Sequence, residues 1–198
     1  AFFYDKVTPP GDKEERGGLN DAQRKAMTEA IDALKREGAI IVDPVELPSV
    51  TDPDPKNNFL VWRTCSGADA AKGKDEGCSV VFKYGMKRDF NAWLATLGPK
   101  APVKTLAELR AFNLAHGGRT AIKYAQALLD ISDEMDVEAD RVRYEADRAK
   151  DVRLGGAHGI DEAMKNHRVD ALLFPGNTGA ALAARPGYPT VIVPFALV

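Results

Sequence analysis

Two short apolar runs, each closed by a proline, constrain this chain more than any other feature. Val169-Asp170-Ala171-Leu172-Leu173-Phe174-Pro175 and Thr190-Val191-Ile192-Val193-Pro194 have the length and bounds of strands rather than helices. Their apolar residues barely alternate, so both faces are expected to be covered, as in sheets flanked by helices. A third run, Ala39-Ile40-Ile41-Val42, follows a helical pattern and Gly38. Helix, glycine and apolar strand in that order is the rhythm of an α/β sheet. Strands are expected at Ile40–Val42, Ala171–Phe174 and Val191–Val193. The expected fold class is α/β, part of a mixed sheet flanked by helices, in a single domain of 198 residues.

The helices are marked by their caps. Asn20 with Gln23 has capping-box spacing, and Ala22, Ala26, Met27, Ala30, Ile31 and Leu34 follow at helical period up to Gly38. A helix is predicted over Asn20–Glu37. Ser79 is expected to cap a second, over Ser79–Leu97, carrying Val81, Phe82, Met86, Phe90, Trp93 and Leu94 and stopped by Gly98-Pro99. Thr105 and Glu108 form another capping box, before Leu106, Leu109 and Phe112. Gly117-Gly118 should break the chain ahead of an amphipathic segment with Ile122, Tyr124, Ala125, Leu128 and Leu129. Ser132 is then expected to cap a long charged helix reaching Leu154. Its pairs Glu138/Arg141, Asp140/Arg143, Glu145/Arg148 and Asp147/Lys150 alternate in sign, which reads as a solvated face. Gly155-Gly156 and Gly159 should weaken or break that helix before Ile160 to Met164 resume it. From Asp43 to Gly77 the chain reads mostly as loop, with a short element around Phe59–Trp62. Ala1 to Asp5 reads as the tail of a strand, and the apolar ending Phe195-Ala196-Leu197-Val198 as a segment that should continue.

Composition excludes several classes of function. With 27 basic against 29 acidic residues, nothing recruits nucleic acid or an anionic membrane. No apolar run approaches the roughly 20 residues of a membrane helix. A soluble, cytoplasmic body is expected. Cys65 and Cys78 are the only cysteines; a disulfide between them is one reading, and free thiols in a reducing compartment the expected one.

A complete catalytic set is not found. The four serines are Ser49, Ser66, Ser79 and Ser132, none in a Gly-x-Ser-x-Gly elbow. Cys78 precedes a helix, which favours a thiolate, but no family signature surrounds it or the candidate bases His116, His158 and His167. Those histidines, with Asp161 and Glu162, lack the spacing of a zinc helix and read as surface residues. Gly155-Gly156-x-x-Gly159 follows a charged helix rather than a strand, so the context of a dinucleotide loop is missing. Gly176-Asn177-Thr178-Gly179 lies at a strand end, where α/β sheets bind ligands. It reads equally as a tight turn or as a site in which Asn177 and Thr178 reach a ligand amide. No metal or cofactor is expected.

The order of these segments resembles one family, the amidase-signature enzymes, in their carboxy-terminal part. The resemblance runs through Asp43-Pro44-Val45-Glu46-Leu47-Pro48, then Lys83-Tyr84 with Asp89-Phe90-Asn91-Ala92-Trp93-Leu94, then Val103 to Leu109 with Phe112-Asn113. It ends on Val169-Asp170-Ala171-Leu172, Ala183-Ala184-Arg185 and Gly187-Tyr188-Pro189-x-Val191-x-Val193-Pro194. It implies carboxamide hydrolysis by a Ser–cis-Ser–Lys triad, which the family carries in its amino-terminal half. No two serines are adjacent here and no Gly-Gly-Ser-Ser-Gly-Gly occurs, so none of the triad is carried over. The resemblance therefore implies an incomplete amidase-like fold: a substrate-side segment, inactive by itself, whose small amide substrate binds in the complete protein. Exposed apolar edges would favour self-association. The alternative is a stand-alone, non-catalytic relative acting as a binding module.

Overall fold

The computed structural model describes residues 3–66, 75–116, 122–123 and 125–196. In chain order the elements are β1 (Lys6–Val7), β2 (Arg16–Gly17), α1 (Asp21–Arg36), α2 (Pro48–Thr51), β3 (Arg63–Thr64) and β4 (Cys78–Ser79). There follow α3 (Val81–Thr96), α4 (Leu106–His116), α5 (Ala127–Asp133) and α6 (Arg141–Val152), then a π-helical stretch over Arg153–Ile160, α7 (Asp161–His167) and α8 (Ala180–Ala184). The result is helix-rich α/β. β1 pairs antiparallel with β2, and β3 pairs parallel with β4. The expected break at Gly117-Gly118, Tyr124, and the apolar ends Ala1, Phe2, Leu197 and Val198 lie outside the described residues.

The described residues divide into two compact units, one of Ala1–Trp62 with Lys150–Val198 and one of Arg63–Ala149. In the first, Phe3, Leu47, Val50, Phe59, Trp62, Leu154, Ile160 and Leu182 form the core. In the second, Cys65, Val80, Tyr84 and Met135 form a core that Cys78, Val137 and Tyr144 close. The Tyr84 and Tyr144 rings stack at 4.3 Å, and the Tyr84 hydroxyl donates to the Val137 carbonyl at 2.6 Å.

Capping decided where α1 begins. Asn20 accepts from the Gln23 N–H at 2.9 Å while Gln23 accepts from the Asn20 N–H at 3.0 Å, and Gly38, at φ 95°, takes the chain out. The cap predicted for α3 is shifted by one residue: the Ser79 hydroxyl accepts from the Val81 N–H at 3.3 Å, and Val80 is the N-cap. Its buried face is Lys83, Tyr84 and Leu94, whereas Phe82 and Trp93 stay about half exposed. Thr105 accepts from the Glu108 N–H as expected, and Glu108 reaches back to the N–H of Lys104.

Other expectations are corrected. Phe3 to Asp5 form a turn, and the strand starts at Lys6. Ile40–Val42, Ala171–Phe174 and Val191–Val193 join no ladder among the described residues. A strand exists only through its neighbour, and here none adjoins: Ile40 is 93% exposed and Val191, Ile192 and Val193 are 72–87% exposed. Phe174 instead packs edge-on against Phe3 at 4.8 Å, so the segment 171–174 serves the first core without pairing.

The long helix does not start at Ser132. That residue is buried near the end of α5, where its hydroxyl donates to the Leu128 carbonyl at 2.7 Å. The Asp136 carboxylate then accepts from the N–H groups of Glu138 and Ala139, both at 2.9 Å, which makes a turn of 136–140 and delays the helix to Arg141. Glu138 and Asp140 therefore precede α6, within which Arg143 faces Asp147 at 3.7 Å.

The glycines expected to weaken or break the helix do not break it, and the chain over them is π-helical. α6, the π-helical stretch and α7 follow one another without interruption through Gly155, Gly156 and Gly159. These positions lack side chains because neighbours occupy the space. A Cβ on Gly155 would stand 2.7 Å from Pro186 Cδ and 2.8 Å from the Leu182 carbonyl oxygen. One on Gly159 would stand 2.6 Å from the Leu154 carbonyl oxygen and 3.2 Å from Ser49 Oγ. Gly159→Ala is expected to destabilise the chain by about 1–3 kcal/mol, the usual cost of overpacking, with a lowered thermal midpoint; Gly38→Ala, with open space but positive φ, would act only through backbone strain.

Candidate functional site

In the first unit, β1, the loop after it and α2 line a groove of about 440 Å³, walled by Val7, Pro9, Pro10, Val50 and Pro53 with Thr8, Thr51, Asp52 and Asn58 as its polar members. Asn58 is 1% exposed and fixes this loop. Its amide donates to the carbonyls of Val50 at 3.1 Å and Asp52 at 2.8 Å, and its oxygen accepts from the Leu60 N–H at 2.8 Å. Asp52 is thereby held where α2 ends.

Its partner comes from the π-helical stretch. His158 Nε2 lies 2.9 Å from Asp52 Oδ2, and its Nδ1 lies 2.9 Å from Glu162 Oε2, one helical turn on. A neutral imidazole has one N–H, so both contacts are hydrogen bonds only in the imidazolium. Burial opposes that charge, but the bonds to Asp52 and Glu162 outweigh it and raise the pKa above the ordinary 6.5. The Asp54 N–H, and then His158, hold the Asp52 carboxyl below its ordinary value. An imidazolium engaged on both nitrogens has no lone pair to offer a nucleophile. The arrangement is a clamp rather than a general base.

The same unit holds a buried carboxylate, Asp151. It accepts from Trp62 Nε1 at 2.9 Å and from Arg185 Nη1 at 3.2 Å. Arg185 lies over the Phe59 ring at 4.5 Å, and Lys150 over the Trp62 ring at 3.8 Å. In the second unit the buried polar centre is Lys83, 1% exposed, with Asp75 Oδ2 at 2.9 Å and Glu134 Oε1 at 2.5 Å. Both partners are acceptors, so Lys83 is spent as a donor.

The residues singled out by sequence are scattered. Asn177 and Thr178 are exposed on a turn; the Thr178 hydroxyl donates to the Pro175 carbonyl at 2.8 Å. Ser49, Ser79 and Ser132 are buried. Cys65 and Cys78 are joined by a disulfide, which corrects the expectation of free thiols. Asp75 brings its carboxylate to the same place, but the sulfurs are committed to each other. Asp161 accepts from the Tyr188 hydroxyl. His158 is no plain surface histidine; its i+4 carboxylate, Glu162, was visible in the sequence. Asp52 lies 106 residues away, and no local pattern could have named it.

The linkage has a definite sign. With its folded pKa raised, His158 contributes stability that is complete below the unfolded value and is lost as pH rises through the folded one. Asp52, depressed, loses its contribution as pH falls through its own lowered value. Thermal midpoints measured between about pH 6 and 8, the histidine range, should fall with rising pH, and His158→Gln should flatten that dependence.

No family model matches the chain. It is 23% identical over 189 residues to a probable amidase of Arabidopsis thaliana, covering 95% of this chain and 33% of that protein. Among solved structures it resembles a peptide amidase in complex with the competitive inhibitor chymostatin, at a TM-score of 0.62 and 27% identity over 88% of this chain and 34% of that one. It also resembles the native peptide amidase of Stenotrophomonas maltophilia, at 0.58 and 30% over 83% and 31%. The chain spans about a third of the length of the relatives it matches. Sequence and fold agree in direction: over most of its length the chain resembles one part of known amidases.

Proposed function

We propose that these residues form the carboxy-terminal, substrate-side segment of an amidase hydrolysing carboxamide C–N bonds, with the Ser–cis-Ser–Lys machinery supplied from outside them. The observation that carries this reading is the joint match in sequence and fold to amidases over 88% of the chain. The chemistry inside the chain supports it. Acyl transfer needs an activated nucleophile and an oxyanion hole. Here three of the four serines are buried, His158 is clamped and Lys83 is paired. Neither a cofactor nor a metal is needed for such a reaction.

Within this reading Asn177 and Thr178 are the substrate-contacting groups. They follow the segment 171–174 on an exposed turn, and short polar side chains there suit a ligand amide. The exposed segment 190–196 is where the rest of the sheet would join. Left uncovered, it favours self-association of the isolated chain, since unpaired apolar edges are templates for pairing.

The purified chain should show no turnover of simple carboxamides. Joined in frame to a segment bearing the Gly-Gly-Ser-Ser-Gly-Gly loop, it should hydrolyse them; turnover by the chain alone, surviving controls for contaminants, would refute the division of labour. In the joined enzyme Asn177→Ala should raise KM about tenfold with little change in kcat, as expected for one lost hydrogen bond used in binding. Light scattering of the isolated chain over a dilution series should show its mass rising with concentration.

A further inference from the structure

We propose that the Cys65–Cys78 disulfide is a thiol-responsive switch, opened by a dithiol reductant at Cys78 and read out at the buried Lys83. Three observations in the second unit carry this, none of which depends on the amidase reading.

The two sulfurs differ in access. Cys65 is 2% exposed, whereas Cys78 is only partly buried. An incoming thiolate therefore reaches Cys78 first. Cys65 also has the better leaving group: Arg143 Nη2 lies 3.9 Å from its Sγ. Thiol–disulfide exchange is faster when the departing thiolate is stabilised, and a guanidinium beside the sulfur does that.

The bond also closes a ring that includes Asp75. It links Cys65, the residue after β3, to Cys78 in β4 across a sequence separation of 13, beside the pairs Arg63↔Cys78 and Thr64↔Ser79. Asp75 supplies one of the two carboxylates on Lys83, and its carbonyl accepts from Arg143. The same arginine thus touches both the leaving sulfur and the backbone of the residue that neutralises Lys83.

The steps balance. A reductant thiolate attacks Cys78 Sγ, the S–S bond breaks, and its electron pair leaves on Cys65 Sγ beside Arg143. The reductant's second thiolate attacks its own sulfur in the mixed disulfide and releases the Cys78 thiolate. Two electrons pass to the protein, the dithiol becomes a disulfide, and its two protons go to the cysteines or to solvent. With the ring open, Asp75 is no longer tethered on both sides, and Lys83 is left with Glu134.

The test uses the chain as it stands. Under glutathione the first mixed disulfide, located by mass spectrometry, should form on Cys78; formation on Cys65 overturns the proposal. Arg143→Gln should slow reduction by dithiothreitol about fivefold, with Arg143→Lys restoring most of the rate; equal rates in all three proteins overturn the role of the charge. Acylation of Lys83 by an N-hydroxysuccinimide ester should rise at least about tenfold on reduction, as burial is lost, with helical circular dichroism kept. Unchanged labelling, or loss of the helical signal, makes the bond a plain staple and overturns the switch. Cys65→Ser with Cys78→Ser should label like the reduced protein without any reductant. Should that variant fail to fold, the wild-type labelling still decides.

Discussion

A charge taken out of water must bring its counter-charge along, and each unit of this protein is arranged around one such obligation. In the first it is Asp151, with side-chain exposure of 5%, held by Arg185 at 13% and by Trp62. In the second it is Lys83 between Asp75 and Glu134. Desolvating an ion costs several kcal/mol, and removing one partner from a buried pair costs about 3–5 kcal/mol. The partners lie far apart in sequence: Trp62 and Arg185 must both reach Asp151, and residues 75 and 134 must both reach Lys83. The apolar cores then pack around chain segments whose meeting points are already specified by charge.

The sequence was most informative where structure is local. The Asn20–Gln23 box, the Gly38 exit and the Thr105–Glu108 cap involve residues three or four apart, and the side-chain oxygens that cap are the same ones that mark the position in the text. It misled wherever the deciding partner was distant. Ile40–Val42 and Val191–Val193 have the composition of buried strands, yet composition does not provide a neighbour, and all of these residues but the half-buried Ile41 lie exposed. The site followed the same rule. Glu162 could be read beside His158, but Asp52 and Asn58 act through the path of a loop, and the pairing of Cys65 with Cys78 depended on β3 and β4 lying side by side.

The glycines between Leu154 and Ile160 show how one residue type admits two readings. Glycine lowers helix stability through its freedom in the unfolded chain, which is why a weakening or a break was expected. Here the space around Gly155 and Gly159 is taken by Pro186, Leu182, Ser49 and the helix's own carbonyl. A wider helical turn places His158 so that both of its nitrogens meet carboxylates. The penalty for flexibility is offset by contacts that no larger residue allows.

The prolines around the exposed segment acquire a second meaning from its exposure. Pro189 and Pro194 bracket Thr190–Val193, and proline has no N–H to give to a ladder. Any strand that aligns with this segment can therefore be recruited over only a short register before pairing is interrupted on both sides. Such bracketing is how natural sequences guard an unavoidable β-prone stretch against runaway stacking. Four residues between two prolines are fewer than the roughly six or seven that a stacked zipper uses.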